Sequence, residues 1–305
     1  MTHEVWTEGR SYEAYIGRWS RLTAVEFVKW LGLESGLNWL EVGCGTGALS
    51  QAVLDRMAPE TLLGIDRSSV YASAARDRLA YGKARFAVGE AQALPVRAQQ
   101  CDVAISALVL NFVPQPERMI QEMLRSLRPG GRLALYVWDY GGKMELIRYF
   151  WNAAVEVDRS AETLDEARRF PLCRPQALRN LLEKEGARDV EVEAIDVATR
   201  FRDFEDYWAP FLMGQGPGPG YVGSLKPRVR EQLQERLRMS LPQEGGRIHQ
   251  PGSQSVGRTG CRWSNGLTSP GGPGIPHRRA PLLLTGHFTL RPLARPCPAG
   301  CERCR

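Results

Sequence analysis

Leu40-Glu41-Val42-Gly43-Cys44-Gly45-Thr46-Gly47 is the stretch that decides the fold. A short apolar strand ends at Val42, and a helix opens just after Gly47. Glycines at 43 and 45 let the backbone turn tightly and approach a ligand closely. The helix N-terminus behind them presents free N–H groups. Asp66 closes the next apolar run, 23 residues after Gly43, where a carboxylate can accept from both hydroxyls of a ribose. Gly43, Gly45 and Ala48 also satisfy the dinucleotide pattern G-x-G-x-x-A. The turn alone therefore leaves open NAD, another adenosine cofactor, or a purely structural glycine turn.

Outward from the turn, short apolar runs alternate with helical periodicity. Strands are expected at 38–42, 61–65, 85–88, 102–107 and 132–138, and helices at 20–31, 48–56, 69–80 and 116–127. Ser20 is the expected cap of the first helix. Arg128-Pro129-Gly130-Gly131 reads as the turn into the fifth strand. Near-continuous apolar strands of this kind belong to a parallel sheet covered on both faces. Beyond Trp138 the pattern changes. Helices are expected at 143–157, 175–185, 204–213 and 225–239, a strand at 189–197, and a Gly/Pro loop at 214–220.

Composition divides the chain. Of its 40 Lys and Arg and 34 Asp and Glu, residues 242–305 hold nine Arg, no Lys and two Glu. That leaves 31 against 32 for residues 1–241, so the basic pI of 9.0 belongs to the tail. The near-neutral body carries no basic stripe, which argues against a nucleic-acid partner. No apolar run reaches the ~20 residues that span a bilayer. Met1-Thr2-His3-Glu4-Val5-Trp6 is not a signal-peptide start, and Cys44, Cys101 and Cys173 are scattered as in reduced proteins, so the expected location is cytoplasmic.

Three further features favour one cofactor. Glu41 lies two residues before the first glycine, where an acid tolerates a positive ligand and repels a pyrophosphate. Gly89-Glu90-Ala91-Gln92-Ala93-Leu94-Pro95 follows the third strand. Ser106-Ala107-Leu108-Val109-Leu110-Asn111-Phe112-Val113 follows the fourth. Together these motifs, over residues 38–138, resemble the class I S-adenosylmethionine-dependent methyltransferases, in particular the small-molecule branch typified by ubiquinone/menaquinone biosynthesis enzymes. The resemblance implies an α/β fold, a Rossmann-like parallel sheet flanked by helices. It also implies that Gly43 and Gly45 pass under the methionine part of S-adenosylmethionine and that Glu41 meets its amino group. Asp66 would hold the ribose, Glu90 the adenine amino group and the Ala91 N–H a ring nitrogen. Backbone around Ser106 and Ala107 would face the ammonium. Tyr15 and Arg18 would form a lid, with Arg18 on the cofactor carboxylate. The competing readings are an NAD-dependent oxidoreductase and a damaged, non-catalytic member.

Methyl transfer from a sulfonium needs in-line alignment, and a base only if the acceptor must lose a proton. The body's one histidine is His3, which argues against a Ser-His-Asp triad or a His-ligated metal, and no metal is expected. Asp139 and Tyr140, just past the fifth strand, are the candidate bases by position. Trp138, Tyr140, Phe150, Trp151, Tyr207, Trp208 and Phe211 either form an apolar acceptor site or pack a helical cover. Arg168, Arg169 and Arg174 either hold an anionic acceptor or form a solvated face.

The expected organisation is a lid and helix at 1–36, the methyltransferase domain with its helical cover at 37–241, and a disordered tail at 242–305. The resembled fold ends with an antiparallel strand inserted in the sheet, but residues 245–256 lack strand character, so the sheet is expected to lack it. An Arg/Pro/Gly/Cys tail without Lys or Asp is what a shift of reading frame near codon 242 would produce. Cys297, Cys301 and Cys304 have the spacing of an iron–sulfur motif, but it ends a tail instead of opening a barrel.

Overall fold

The computed structural model describes residues 17–79, 81–213, 216–242 and 255–262; at Arg18 and over 255–262 only the backbone is described. The sheet runs β3 (Ala84–Val88), β2 (Thr61–Asp66), β1 (Asn38–Val42), β4 (Cys101–Ala107), β5 (Leu127–Trp138), β7 (Ser255–Arg262), β6 (Arg188–Asp196). Its parallel part is β1 to β5. Helices α1 (Arg18–Leu31), α2 (Ala48–Met57), α3 (Ser69–Leu79) and α4 (Pro116–Ser126) flank it. The register is pinned at one end: the Asn38 amide and side chain both donate to Asp102, at 2.8 and 2.9 Å, and Arg128 pairs with the same carboxylate. The glycine turn lies at the other end, where strand order reverses, the usual ligand edge of such sheets.

Both faces of the sheet are covered, as the continuous apolar strands require. Val103, Ala104 and Ile105 of β4 and Leu133 through Trp138 of β5 are all buried. Phe27 of α1 lies 4.8 Å from the Tyr136 ring. Ser20 does not cap α1: it lies in the first turn, its hydroxyl donating to the Gly17 carbonyl.

After β5 come α5 (Glu145–Val157), the short α6 (Glu166–Arg169), α7 (Pro175–Lys184) and β6 (Arg188–Asp196). Then follow α8 (Phe204–Trp208), α9 (Pro217–Ser224) and α10 (Pro227–Ser240). Phe150 and Phe211 stack at 4.2 Å in the core of this cover, with Trp151, Tyr207 and Trp208 around them. Three expectations change here. The 214–220 stretch is not all loop, because α9 starts at Pro217, helped by burial of Tyr221 and Val222 against α5. Residues 128–131 lie within β5, as an irregular start with a register shift against β4 and Gly130 at φ 80°.

The third concerns the sheet's end. The expected absence of a final antiparallel strand is not what is found. β7 (Ser255–Arg262) lies between β5 and β6 and pairs antiparallel with both. Two unpaired strand edges spaced for a strand accept a backbone ladder whatever its side chains, which is why apolar patterning did not reveal it. The rest of the expected disordered tail, with its cysteine motif, lies outside the described residues, as do Tyr15 and His3.

Candidate active site

A cavity of about 970 Å³ opens at the C-terminal ends of β1, β2 and β4. Glu41, Gly43, Gly45, Asp66, Glu90, Ala91 and Ala107 all line it. The three glycines of the turn answer to different neighbours. A Cβ on Gly43 (φ 76°) would stand 2.3 Å from a Val109 methyl, and one on Gly47 (φ 84°) 2.6 Å from Leu79 on α3. A Cβ on Gly45 (φ 52°) would meet nothing within 4 Å and would project into open space. Gly45 is thus the glycine whose missing side chain leaves room for a ligand.

The turn's amides are largely committed within the protein. Gly43 and Cys44 both donate to the Ile65 carbonyl, at 2.7 and 3.0 Å, Gly47 donates to the Cys44 carbonyl at 2.8 Å, and Gly45 donates to Asp66 at 2.8 Å. A dinucleotide turn aims such amides at a pyrophosphate. Here the Gly43, Cys44, Gly45 and Gly47 amides point to protein acceptors instead.

Two acids face the same space. Glu41 is 1% exposed and accepts a hydrogen bond from the Ser50 hydroxyl on α2. Burial pushes its carboxyl up to about 8; the Ser50 bond opposes this and the Asp66 charge adds to it. Asp66, 8% exposed, accepts from the Gly45 and Ser68 amides, and burial raises it despite those bonds. It therefore ties the turn to β2 besides facing the cavity, and a carboxylate with two bonds still has lone pairs for a ligand. Buried acids on one wall make a site that prefers a cation.

The segment after β4 forms a second wall. Ser106 is buried and its hydroxyl donates to Val42 O at 2.7 Å, so β4 and β1 hold each other where the cavity begins. Leu108 sits at φ 60°, a left-handed conformation costly for a leucine. The turn Leu110–Phe112 follows, with Asn111 and Phe112 lining the cavity. Arg169 and Phe170 close the space from α6. Glu90 and Ala91 sit in a tight turn, with the Ala93 amide donating to Glu90 O at 3.1 Å.

Other candidates fall elsewhere. Asp139 and Tyr140 do not line the cavity: Asp139 accepts from the Lys143 amide in its own turn, and Tyr140 is buried 5.3 Å from the Phe170 ring. Arg168 pairs with Glu162, and Arg174 is exposed on the surface. None of the seven aromatics expected at an acceptor site or in the cover lines the cavity; Tyr71, Phe112, Tyr136 and Phe170 do. Arg18 opens α1, and its side chain lies outside the described residues. Asn111, Phe112 and Phe170 had carried no assigned role; a polar residue inside the apolar run after β4 was the available signal for Asn111. Among the described residues no His/Cys/Asp/Glu group could hold a metal, and no helix is long and apolar enough to cross a membrane.

Comparison with known proteins bears on this geometry. Residues 40–135 match the family described as "Methyltransferase domain". The tRNA (carboxymethyluridine(34)-5-O)-methyltransferase of Mus musculus is 34% identical over 141 residues, 45% of this chain and 19% of that one. The ubiquinone/menaquinone biosynthesis C-methyltransferase of Syntrophotalea carbinolica is 33% identical over 118 residues, 38% of this chain and 48% of that one. This chain thus spans about a fifth of the first relative and about half of the second. A phosphoethanolamine N-methyltransferase of Haemonchus contortus, solved with S-adenosyl-L-methionine, shares the fold at TM-score 0.52 and 13% identity, over 83% of this chain and 56% of that one.

Proposed function

We propose that this chain, whose residues 40–135 match a methyltransferase domain, is a class I enzyme that passes the methyl group of S-adenosylmethionine to a small-molecule acceptor by in-line displacement. The cofactor is S-adenosylmethionine, which supplies an electrophilic methyl on a positively charged sulfur. One observation carries the reading: the glycine turn keeps its amides for the protein while two buried acids, Glu41 and Asp66, face the cavity. That combination suits a cationic adenosine ligand, whose charge draws the proton off Glu41, over the anionic pyrophosphate of NAD, which does not.

In this reading Gly43 and Gly45 pass under the methionine part and Glu41 takes the amino group. Asp66 holds the ribose, and Glu90 and the Ala91 amide read the adenine. The Ala107 backbone faces the ammonium, and Arg18 meets the carboxylate from the N-terminal side. The near-neutral charge of residues 1–241 and their scattered cysteines support a cytoplasmic enzyme acting on a small molecule. Likeness to the mouse tRNA enzyme favours a second reading, methyl transfer to RNA. Incubating the chain with methyl-labelled cofactor, a metabolite extract and total tRNA separates the two. Label in the small-molecule fraction is expected; label in RNA would install the second reading, and label in neither would end both.

A further inference from the structure

The wall formed by Asn111, Phe112, Arg169 and Phe170 is not used by the cofactor reading. The Phe112 and Phe170 rings meet edge to face at 5.3 Å, and the Arg169 guanidinium stands 5.4 Å from the Phe170 ring centre. Beside Phe112, the Nδ2 of Asn111 is buried without a hydrogen-bond partner, although the residue lines the cavity. A buried donor of this kind calls for a ligand oxygen.

Arg169 is carefully placed. Asp165 caps α6 by accepting from the Ala167 amide at 2.9 Å. Both terminal nitrogens of Arg148 on α5 clamp Asp165, one of them at 2.9 Å. Trp151 donates to Glu166 from the same helix. Buried polar partners thus fix the four-residue helix that carries Arg169 to the cavity.

The same wall has no proton acceptor of the usual kinds. From Ala107 to Pro114, and at Arg169 and Phe170, the described lining residues include no Asp, Glu, His, Lys or Cys. Of the acids on the opposite wall, Glu41 is held by Ser50 and Asp66 by the Gly45 and Ser68 amides, and Glu90 belongs to the adenine end in the cofactor reading. Such a wall favours an acceptor that is nucleophilic without losing a proton, and a guanidinium with an amide donor selects a planar anion.

Resting on the methyl-transfer reading above, we propose that the acceptor is an ionised carboxylate on a planar or apolar body, held by Arg169 and Asn111 against the Phe112–Phe170 pair, and that the product is its methyl ester. A carboxylate oxygen supplies the electron pair of the new O–CH3 bond. The pair of the broken C–S bond stays on sulfur, which becomes a neutral thioether, and no proton is released.

The test uses the full chain saturated with S-adenosylhomocysteine, with benzoate and its neutral isostere benzamide as probes. Benzoate is expected to bind at least ten-fold tighter than benzamide by calorimetry or ligand-observed NMR. Arg169→Gln should abolish the preference while leaving S-adenosylhomocysteine affinity within two-fold, and Arg169→Lys should restore part of it. Equal binding of the two probes, binding of neither, or a preference that survives Arg169→Gln would overturn the proposal. Failure to bind S-adenosylhomocysteine would instead overturn the cofactor reading. In the labelled metabolite extract, the incorporated methyl should leave as methanol in mild alkali; an alkali-stable label would rule out the ester.

Discussion

Strands β1 and β7 each lie between two neighbours, and they meet that demand with opposite sequences. In β1, Trp39, Leu40, Glu41 and Val42 are all buried, and the one acid among them faces a ligand cavity. β7 reads Ser255-Val-Gly-Arg-Thr-Gly-Cys-Arg262 beside β5, whose residues from Leu133 to Trp138 are buried. Its register sets Arg258 opposite Tyr136 on one side and Glu193 on the other. Pairing is a backbone matter that two open edges can impose; packing is a side-chain matter that the sequence must supply. At β1 both agree; at β7 the backbone ladder forms although the sequence supplies little apolar patterning.

The largest expected effect tests how tightly the β1 end is specified. Gly43→Ala puts a methyl against Val109 at a positive φ, and should cost about 2–4 kcal/mol in urea unfolding from overpacking and backbone strain. Val109→Ala in the same protein should recover part of that cost. A neutral Gly43→Ala would show that the turn is looser than described.

Next is a pH effect. With its carboxyl raised to about 8, Glu41 holds a proton at neutral pH until a positive ligand displaces it. Binding of S-adenosylmethionine should then release a proton and tighten as pH rises, by up to about ten-fold per unit. The dependence should level off above about pH 8, and Glu41→Gln should flatten it. Affinity independent of pH between 6 and 8 in the unaltered protein would remove Glu41 from the cofactor's charge.

At the other end, Arg258→Val should raise stability by about 1 kcal/mol, because a β-branched apolar residue suits a doubly paired strand. No gain would mean that β7 is already well fitted. From the weak apolar patterning of β7 and the composition beyond residue 242, we propose that this segment is translated out of frame. One of the other two reading frames of the gene should then encode an alternating apolar strand; if neither does, the proposal fails. The smallest expected effect lies far from the cavity: Asp102→Asn loosens Asn38 and Arg128 and should cost about 1 kcal/mol while leaving cofactor affinity unchanged.

The parallel sheet was legible because its strands are short apolar runs punctuated by Gly and Pro, and their ends fall within a few residues of those expected. Helix α9 was not, because Pro217-Gly218-Pro219-Gly220 has loop composition, and burial of Tyr221 and Val222 supports it as a helix. In the site, the residues read from the strand ends line one cavity, because a parallel sheet brings those ends together. Asp139 had the right position but turns back onto its own loop. Phe170 gains its place only through contact with Phe112, 58 positions away, which no local pattern encodes.

Calorimetric titration with S-adenosylmethionine and with NAD, repeated on Asp66→Ala, tests the central claim most directly. S-adenosylmethionine is expected to bind the unaltered chain and NAD is not, and the substitution should weaken the first by about ten-fold or more, as loss of a charged hydrogen-bond partner does. Binding of NAD alone, or S-adenosylmethionine binding indifferent to Asp66, would contradict it.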